Sequence, residues 1–483
     1  MSASLQYRAS NKRQPVHSVR QQQHNPINGG SFSTTNNRID FRIPPEFATF
    51  LSCDDTRLKF DYTLTAGTQA AANLPYIKAN SSTSLIQSIQ VRVGSEVIEH
   101  ITDYKRLHAV LQPLYVDTFQ QVSSLNVEDP AKATAALLNS TAGNLGQSGA
   151  LSAATETAVT TTPTGKSFSV SLPLILSSVG TAAKKAFPLA FIANDLHISI
   201  VLVDDIKKAF YAGNGAISSP LLSTATVAVT NVVLDCKHIT YPSEVVNKMM
   251  NSVGGELVYD GCQNITANSG AISYSSAGKQ YFILPNCQYS NIFNITQTHF
   301  VAPTLAGDDL AYQPSLFVSN SRVQIDGRYV NNRGLTFGNA TTPEQNTAEL
   351  AMSAFYSNRR NVDVDDINTS FRAKYNFANT SGWGCRNITG DPTASVTGSF
   401  QKATASVLVG RQFETCMCSH NLSNSQYLGR LRRGENTRGK EVVLEQDYSN
   451  TSTSVVSVFN SYIYSIGVKY IVNLKTGQMR VEM

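Results

Sequence analysis

The sequence is poor in charged residues. Asp, Glu, Lys and Arg make up only 15% of its 483 residues, whereas hydrophobic residues make up 41%. This apolar share is enough for a packed core, and Ser, Thr, Asn and Gln must then cover most of the surface. Many short runs of Val, Ile, Tyr, Phe and Thr favour strands. The composition therefore predicts a mostly-β chain, long enough for two ordinary domains.

Long apolar runs are also missing. We find no run of about 18 apolar residues and therefore expect no membrane-spanning helix. The N-terminal segment lacks the apolar stretch of a secretory signal, so we do not expect secretion. The seven cysteines are odd in number and irregularly spaced. They favour reduced thiols in the cytoplasm or nucleus over a disulfide framework.

Signatures of catalysis are absent from the sequence. It contains no H-E-x-x-H, no G-x-S-x-G, no phosphate-binding loop and no dinucleotide fingerprint, so we predict no enzymatic activity and no cofactor. Cys416, Cys418 and His420 carry metal-binding atoms, but on a strand they would supply only three ligands, which favours structural thiols. The acidic run at 363–368 lacks the glycine and the terminal glutamate of a calcium loop. We therefore expect no metal site.

The net charge of +5 arises in one segment. No acidic residue precedes Asp40, and five cations lie before it: Arg8, Lys12, Arg13, Arg20 and Arg38. Because residues 1–38 are also poor in apolar side chains, we expect a disordered basic arm. Such an arm could contact neighbouring subunits during assembly, bind DNA phosphates weakly, or make no specific contact.

A second basic group lies in the run GRLRRGENTRGK at 429–440. Its members are Arg430, Arg432, Arg433, Arg438 and Lys440. This loop could face nucleic acid or an acidic surface of a neighbouring subunit. A solvated hairpin tip, with Glu435 diluting the charge, explains the pattern equally well.

Two distant parts of the chain follow the same order. The run at 84–111 contains an alternating strand, a glycine turn, a second strand and a predicted helix, and the run at 315–338 repeats the strand, glycine and strand. FRIP at 41–44 likewise has a counterpart in YFILP at 281–285, and the closing strand at 231–239 has one at 465–472. A common offset indicates a tandem duplication.

Each copy contains about eight strand-like runs, which favours a jelly roll over a seven-stranded immunoglobulin sandwich. The sequence thus predicts an all-β protein of two tandem eight-stranded jelly rolls, with short helices and long loop insertions. We expect the first jelly roll at 39–240, a linker at 241–255 and the second jelly roll at 256–483. A segment without aromatic residues at 123–166 is the expected insertion of the first, and the region around 374–404 that of the second.

Three segments resemble the double jelly-roll major capsid proteins of tailless double-stranded DNA viruses. They are FRIPP at 41–45, LIQSIQVRVGSEVIEHITDYKRL at 85–107 and SRVQIDGRYVNN at 321–332. The second segment is particularly similar to the capsid proteins of polinton-like viruses and their relatives, a lineage that includes virophages and nucleocytoplasmic large DNA viruses.

This resemblance implies a structural protein of the virion, made in the host cytoplasm or nucleus. It would form homotrimeric capsomers of pseudo-hexagonal outline that tile an icosahedral shell around a double-stranded DNA genome. The implied partners are its own copies, neighbouring capsomers, and penton and minor capsid proteins. The basic arm would lie on the inner side of the shell, with weak and non-specific DNA contact as one of its roles, and the long insertions would form outward towers.

Two other functions fit part of the pattern. A minor, vertex or attachment component of a capsid would share the β-rich composition, but the duplication argues against it, since the vertex proteins of these viruses tend to be single jelly rolls. A carbohydrate-binding tandem β-sandwich would need an aromatic platform for the sugar. The single tryptophan, Trp383, argues against that function.

Overall fold

The computed structural model describes residues 18–65, 75–77, 82–115, 166–183, 185–212, 226–252, 254–273, 278–301, 318–330, 335–336, 417–422, 434–448 and 457–483. The strands before residue 241 are β1 (Ser18–His24), β2 (Ser31–Ser33), β3 (Arg38–Ile43), β4 (Thr49–Thr65), β5 (Pro75–Ile77), β6 (Ile86–Val93), β7 (Glu96–Ile101), β8 (Lys166–Pro173), β9 (Leu196–Leu202), β10 (Phe210–Ala212) and β11 (Thr226–Thr240).

The later strands are β12 (Glu256–Ser273), β13 (Gly278–Ile283), β14 (Ile292–Val301), β15 (Val318–Ile325), β16 (Arg328–Tyr329), β17 (Leu335–Thr336), β18 (Met417–Asn421), β19 (Val442–Tyr448), β20 (Ser457–Asn473) and β21 (Met479–Glu482). Helix α1 (Tyr104–Tyr115) follows β7, and helix α2 (Ser243–Ser252) lies between β11 and β12. No helix among the described residues is long and apolar enough to cross a membrane.

The strand order is that of two consecutive jelly rolls. In the first, one antiparallel sheet has the order β1-β11-β4-β8 and the other the order β3-β9-β6-β7. The second repeats both orders, as β12-β20-β14-β18 and β13-β19-β15-β16. When β2, β5, β10, β17 and β21 are left out, eight strands remain in each unit, and numbered in chain order they form sheets 1-8-3-6 and 2-7-4-5, the Greek-key arrangement of a jelly roll. The predicted fold class is therefore confirmed.

Alternation of side chains explains how each sheet faces its core. On β3, Ile39, Phe41 and Ile43 are buried while the residues between them are more exposed. The neighbouring strand β9 supplies Leu196 and Ile198 to the same core. Because successive side chains of a strand point to opposite faces, this pattern fixes which face of each strand packs on the core.

The repeated hairpin forms in both jelly rolls. Strands β6 and β7 pair across a turn at Gly94, whose φ is +59°. Strands β15 and β16 pair across Asp326 and Gly327, with φ of +52° and +74°. Two consecutive residues with positive φ define the tight turn whose twist matches that of the paired strands, and Asp-Gly is one of its preferred sequences.

The first strand corrects the predicted arm. Residues 18–24 pair with β11 along their whole length, from Ser18 opposite Thr240 to His24 opposite Leu234, and β2 pairs with β11 as well. The expectation of disorder was thus wrong for 18–24 and 31–33, and the first jelly roll begins with β1 rather than at residue 39. The segment SVRQQQH shows no apolar alternation because most of its side chains are exposed and backbone hydrogen bonds hold it.

Several other predictions can be located. The helix expected at 103–111 is α1, and the expected linker at 241–255 contains α2. The insertion at 123–166 lies outside the described residues apart from Lys166, which begins β8, and the insertion around 374–404 lies wholly outside them. Four cysteines are buried thiols: Cys53, Cys236, Cys262 and Cys287.

A glycine in β12 allows the close approach of a buried tyrosine. A Cβ atom at Gly261 would overlap the ring of Tyr470 on β20, whose side chain is fully buried. We predict that Gly261→Ala lowers the free energy of unfolding by about 1–3 kcal/mol, because the ring cannot move out of a packed core without strain. Urea denaturation followed by circular dichroism measures this loss. Gly30→Ala is the control, since no atom lies within 4 Å of its Cβ position. Equal stability of the two variants would contradict the role of Gly261 in making room for the Tyr470 ring.

Candidate functional site

The two jelly rolls meet at a junction in which polar side chains from both bodies contact one another. On the first, it comprises β7, the start of α1 and residues 174–179, the segment that follows β8. On the second, it comprises β12, β20 and β21, with β7 in contact with both β12 and β21. The junction is therefore the part of the described chain where one jelly roll packs against the other.

A buried carboxylate lies at the centre of this junction. Glu99 on β7 is only 2% exposed. Its Oε1 accepts hydrogen bonds from the backbone N–H and the hydroxyl of Ser177, at 2.9 and 3.0 Å. Its Oε2 accepts the corresponding bonds from Ser178, at 2.9 and 2.6 Å. Four donors thus converge on one side chain, which fixes residues 177–178 against β7.

A chain of hydroxyl groups links Glu99 to the second jelly roll. The Ser177 hydroxyl lies 2.9 Å from the hydroxyl of Tyr470, and Gln263 on β12 donates to that same Tyr470 oxygen at 3.0 Å. Because the Ser177 hydrogen is directed at Glu99, the Tyr470 hydroxyl donates to Ser177 and accepts from Gln263. The Gln263 amide also donates to the carbonyl of Ile98 at 2.6 Å, so it contacts both jelly rolls directly.

Burial governs the titration of these groups. It raises the pKa of Glu99, against the opposing effect of the hydrogen bonds from Ser177 and Ser178. Burial raises the pKa of Tyr470 well above its usual value, and the neighbouring Glu99 carboxylate adds to that rise. Tyr470 therefore keeps its proton, and its role as a donor, across the ordinary pH range.

Further contacts extend the junction on either side of Glu99. The Thr266 hydroxyl of β12 accepts from the backbone N–H of Asp103 at 3.3 Å and lies 3.2 Å from the hydroxyl of Thr102. At the other end, the backbone N–H of Ala193 donates to the carbonyl of Gly477 at 2.9 Å. The two jelly rolls are thus joined through three separate segments of the chain.

The structure describes two of the five predicted arm cations. Arg8, Lys12 and Arg13 lie outside the described residues. Arg20 forms an ion pair with Glu46, and Arg38 forms one with Asp40 at 2.9 Å. Each of these last two arginines therefore has an acidic partner within its own chain.

The predicted basic loop is placed only at its end. Arg430, Arg432 and Arg433 lie outside the described residues. Arg438 donates to the backbone carbonyl of Met483, and the backbone N–H of Lys440 donates to the carbonyl of Thr437 at 3.1 Å. The loop is thus tied to the C-terminal residue and to its own turn.

The residues weighed as metal ligands are placed as follows. Cys416 and the side chain of Cys418 lie outside the described residues. His420 is buried 2.9 Å from the hydroxyl of Ser321, and burial lowers its pKa to about 4. Among the residues that the structure describes, no group of three or more His, Cys, Asp or Glu side chains could hold a metal ion.

An outer face of the second jelly roll combines exposed apolar side chains with a charged cluster. On β13, Tyr281 is 59% exposed and Ile283 is 65% exposed. Beside them, Glu445 on β19 accepts from Tyr329 at 2.6 Å and from Lys279 at 3.3 Å. Burial would raise the pKa of Glu445, but these hydrogen bonds and the charge of Lys279 outweigh it and lower that pKa.

None of the junction residues was predicted from the sequence. Glu99 and Ser177 are far apart in the chain, and Tyr470 is farther still. No motif marks such a pairing. The only available signal was an acidic residue between Ile98 and Ile101 in a predicted strand.

Removal of the Glu99 carboxylate tests the junction. We predict that Glu99→Ala lowers the free energy of unfolding by about 3 kcal/mol or more, because two buried backbone N–H groups lose their acceptor. Glu99→Gln keeps one carbonyl oxygen and should lose less. Glu96→Ala, which changes an exposed residue of the same strand, is the control and should change stability little. Urea denaturation of the three variants gives these values, and equal stability of Glu99→Ala and Glu96→Ala would refute the central role of Glu99.

Several solved structures are similar to this chain over almost its whole length. Neither protein-family models nor curated sequences match the chain. Among solved structures, a chain of the PBCV-1 virus capsid is similar with a TM-score of 0.54 and 11% identity, over 98% of each chain. A chain of the Sputnik virophage is similar with a TM-score of 0.56 and 10% identity, over 98% of this chain and 89% of the Sputnik chain. The mavirus major capsid protein is similar with a TM-score of 0.53 and 11% identity, over 98% of this chain and 92% of the mavirus chain. With both jelly rolls covered in each comparison, the chain has the double jelly-roll fold of these viral capsid proteins.

Proposed function

We propose that the chain is the major capsid protein of a double-stranded DNA virus, which assembles as a homotrimeric capsomer of an icosahedral shell. The observation that carries the proposal is the pair of complete jelly rolls joined through the buried Glu99 junction. A structural role needs shape and interfaces rather than a reactive centre. It is supported by a likeness that extends over almost the whole length of capsid chains.

The duplication explains how three chains would fill a six-fold position. Each chain contributes two similar bodies, so a ring of three chains presents six. The junction within a chain is heterologous, since β7 of the first jelly roll contacts β12 and β21 of the second. A heterologous contact that repeats between chains forms a closed ring when the rotations from one body to the next add up to a full turn. A rotation of about 60° from each jelly roll to the next would close the ring after six jelly rolls, which is three chains.

Exposed apolar side chains indicate where neighbouring copies would meet. Tyr281 and Ile283 lie on β13, which among the described residues pairs only with β19 and so ends its sheet. On the first jelly roll, Val19 of β1 and Phe47, which precedes β4, are also exposed. Protein interfaces place apolar side chains within a polar rim, and the exposed Lys279 of β13, which pairs with the buried Glu445, would contribute to such a rim.

The basic arm is proposed to act from inside the shell. Because Arg20 and Arg38 already have acidic partners, Arg8, Lys12 and Arg13 are the arm cations available for DNA phosphates or for a neighbouring subunit. Three cations would give weak, salt-sensitive and non-specific DNA binding. The basic loop, penton proteins and minor capsid proteins are further candidate contacts of the shell.

Light scattering coupled to gel filtration tests the trimer. We predict a particle of about 157 kDa, three times the 52.4 kDa of one chain. The double variant Tyr281→Glu/Ile283→Glu should shift the protein toward monomer with unchanged circular dichroism, because two carboxylates would be desolvated at the interface. Met250→Glu, a change of an exposed apolar residue on α2, is the control. A monomeric wild type would contradict the function, whereas a trimeric double variant would contradict only the assigned surface.

Truncation tests the arm. Deletion of residues 1–17 should leave trimers intact, because β1 is kept, but it should reduce the yield of closed shells in electron micrographs. The same particles should retain less DNA at low salt, since counterion release is lost with the three cations. Normal shells with unchanged DNA retention would contradict both proposed roles of the arm.

A further inference from the structure

Two histidines that are far apart in the sequence face each other in the first jelly roll. His24 on β1 and His238 on β11 are 214 residues apart, yet their Nε2 atoms are separated by 3.3 Å. Their ring centroids are 5.5 Å apart and the ring planes are inclined by 30°. Both residues are buried. At this separation one neutral ring donates an N–H to the bare nitrogen of the other, and the contact requires at least one uncharged ring.

The charges around the pair disfavour a second proton. Arg20, on the same strand as His24, is a cation close to both rings. Glu46, in the turn before β4, is the acidic group that faces His238, with a carboxylate oxygen 3.4 Å from its Nδ1. That carboxylate is shared with Arg20, so it offsets one cation already. Asp235, also on β11, is engaged by Lys59 and by the Gln21 amide.

The strand that carries His24 is weakly held. Among the described residues β1 pairs only with β11, at the edge of its sheet. His24 is its only buried side chain, and Val19 is exposed. The other side-chain contacts are the Arg20–Glu46 ion pair and the 2.8 Å hydrogen bond from Gln21 to Asp235. A strand with so little apolar burial opens locally at low free-energy cost.

We propose that His24 and His238 form an acid-sensitive latch, which holds β1 on β11 at neutral pH and releases β1, with the residues before it, in mild acid. The second proton would place two imidazolium rings against each other beside Arg20. Opening of β1 separates the rings and gives each charge access to water. The latch acts on a strand, so it requires no unfolding of the rest of the jelly roll.

The direction of the pH dependence follows from the two histidines. Burial, His238 and Arg20 lower the pKa of His24 to about 4, from an ordinary value of 6.5. Burial also lowers the pKa of His238, against the opposing charge of Glu46. A histidine whose pKa is lowered in the closed state stabilises that state fully above pH 6.5, and this contribution is lost as the pH falls toward 4.

The junction responds to pH in the opposite sense. Because burial raises the pKa of Glu99, a fall in pH does not destabilise the folded state through this group. Mild acid should therefore loosen β1 while the two jelly rolls stay joined. The latch is thus selective for the N-terminal strand.

Hydrogen exchange of the full chain tests this directly. Protection of the amides of β1 is measured by mass spectrometry at pH 7.5 and 5.0, each corrected for the intrinsic exchange rate at that pH. For His24 alone, the shift in pKa predicts that opening of β1 becomes about 30-fold more favourable over this interval. The amides of β4 at 58–62 provide the internal reference and should keep their protection. An unchanged protection of β1 would overturn the proposal.

Matched variants separate the latch from other effects of acid. His24→Gln removes one titrating ring and should make the acid response of β1 clearly smaller than that of the wild type. His100→Gln, a change of an exposed histidine on β7, should leave the full response. If the loss of the His24 ring itself opens β1 at pH 7.5, the acid response is measured in His238→Gln instead, because that variant removes the other ring of the pair. A wild-type acid response retained in both His24→Gln and His238→Gln would contradict the latch.

Discussion

Four hydrogen-bond donors converge on the buried carboxylate of Glu99, and the arrangement of the two jelly rolls depends on them. A buried carboxylate is tolerated only where its oxygens are satisfied. Ser177 meets that requirement and also continues the contact to Tyr470 in the second jelly roll. The same side chains therefore satisfy Glu99 and fix the orientation of one sandwich against the other, which a purely apolar contact would define less sharply.

This constraint links fold to assembly. A chain with two jelly rolls that moved independently could not present a defined angle to its neighbours. Gly261 permits Tyr470 to lie close to β12, and Gln263 holds the tyrosine hydroxyl from the other side. Exposed apolar side chains lie on β13 and β1, and Val97 and Val258 are exposed on the junction strands β7 and β12. The proposed capsomer uses a rigid two-body unit whose remaining surfaces meet other copies.

The sequence allowed prediction of those features that depend on local pattern. The alternation in FRIP, the glycine turns of the two hairpins and the common offset between the halves led to two eight-stranded jelly rolls, because strand faces and turns have short-range signatures. Strand β1 was missed, since its polar side chains are exposed and its place is set by backbone pairing with β11. The junction at Glu99 and the contact of His24 with His238 depend on long-range packing, for which one sequence has no short-range signal. The N-terminal limit was corrected by β1, whereas the other predicted domain limits, the arm cations and the basic loop stay predictions, because many of their residues lie outside the described ranges.

Electron microscopy of the purified full-length protein tests the central claim most directly, because it shows the arrangement of the jelly rolls in the particle. The account predicts particles with three-fold symmetry and six similar lobes, in which the two lobes of each chain keep a fixed angle. Single two-lobed particles with a variable angle between the lobes would contradict both the rigid junction and the proposed capsomer.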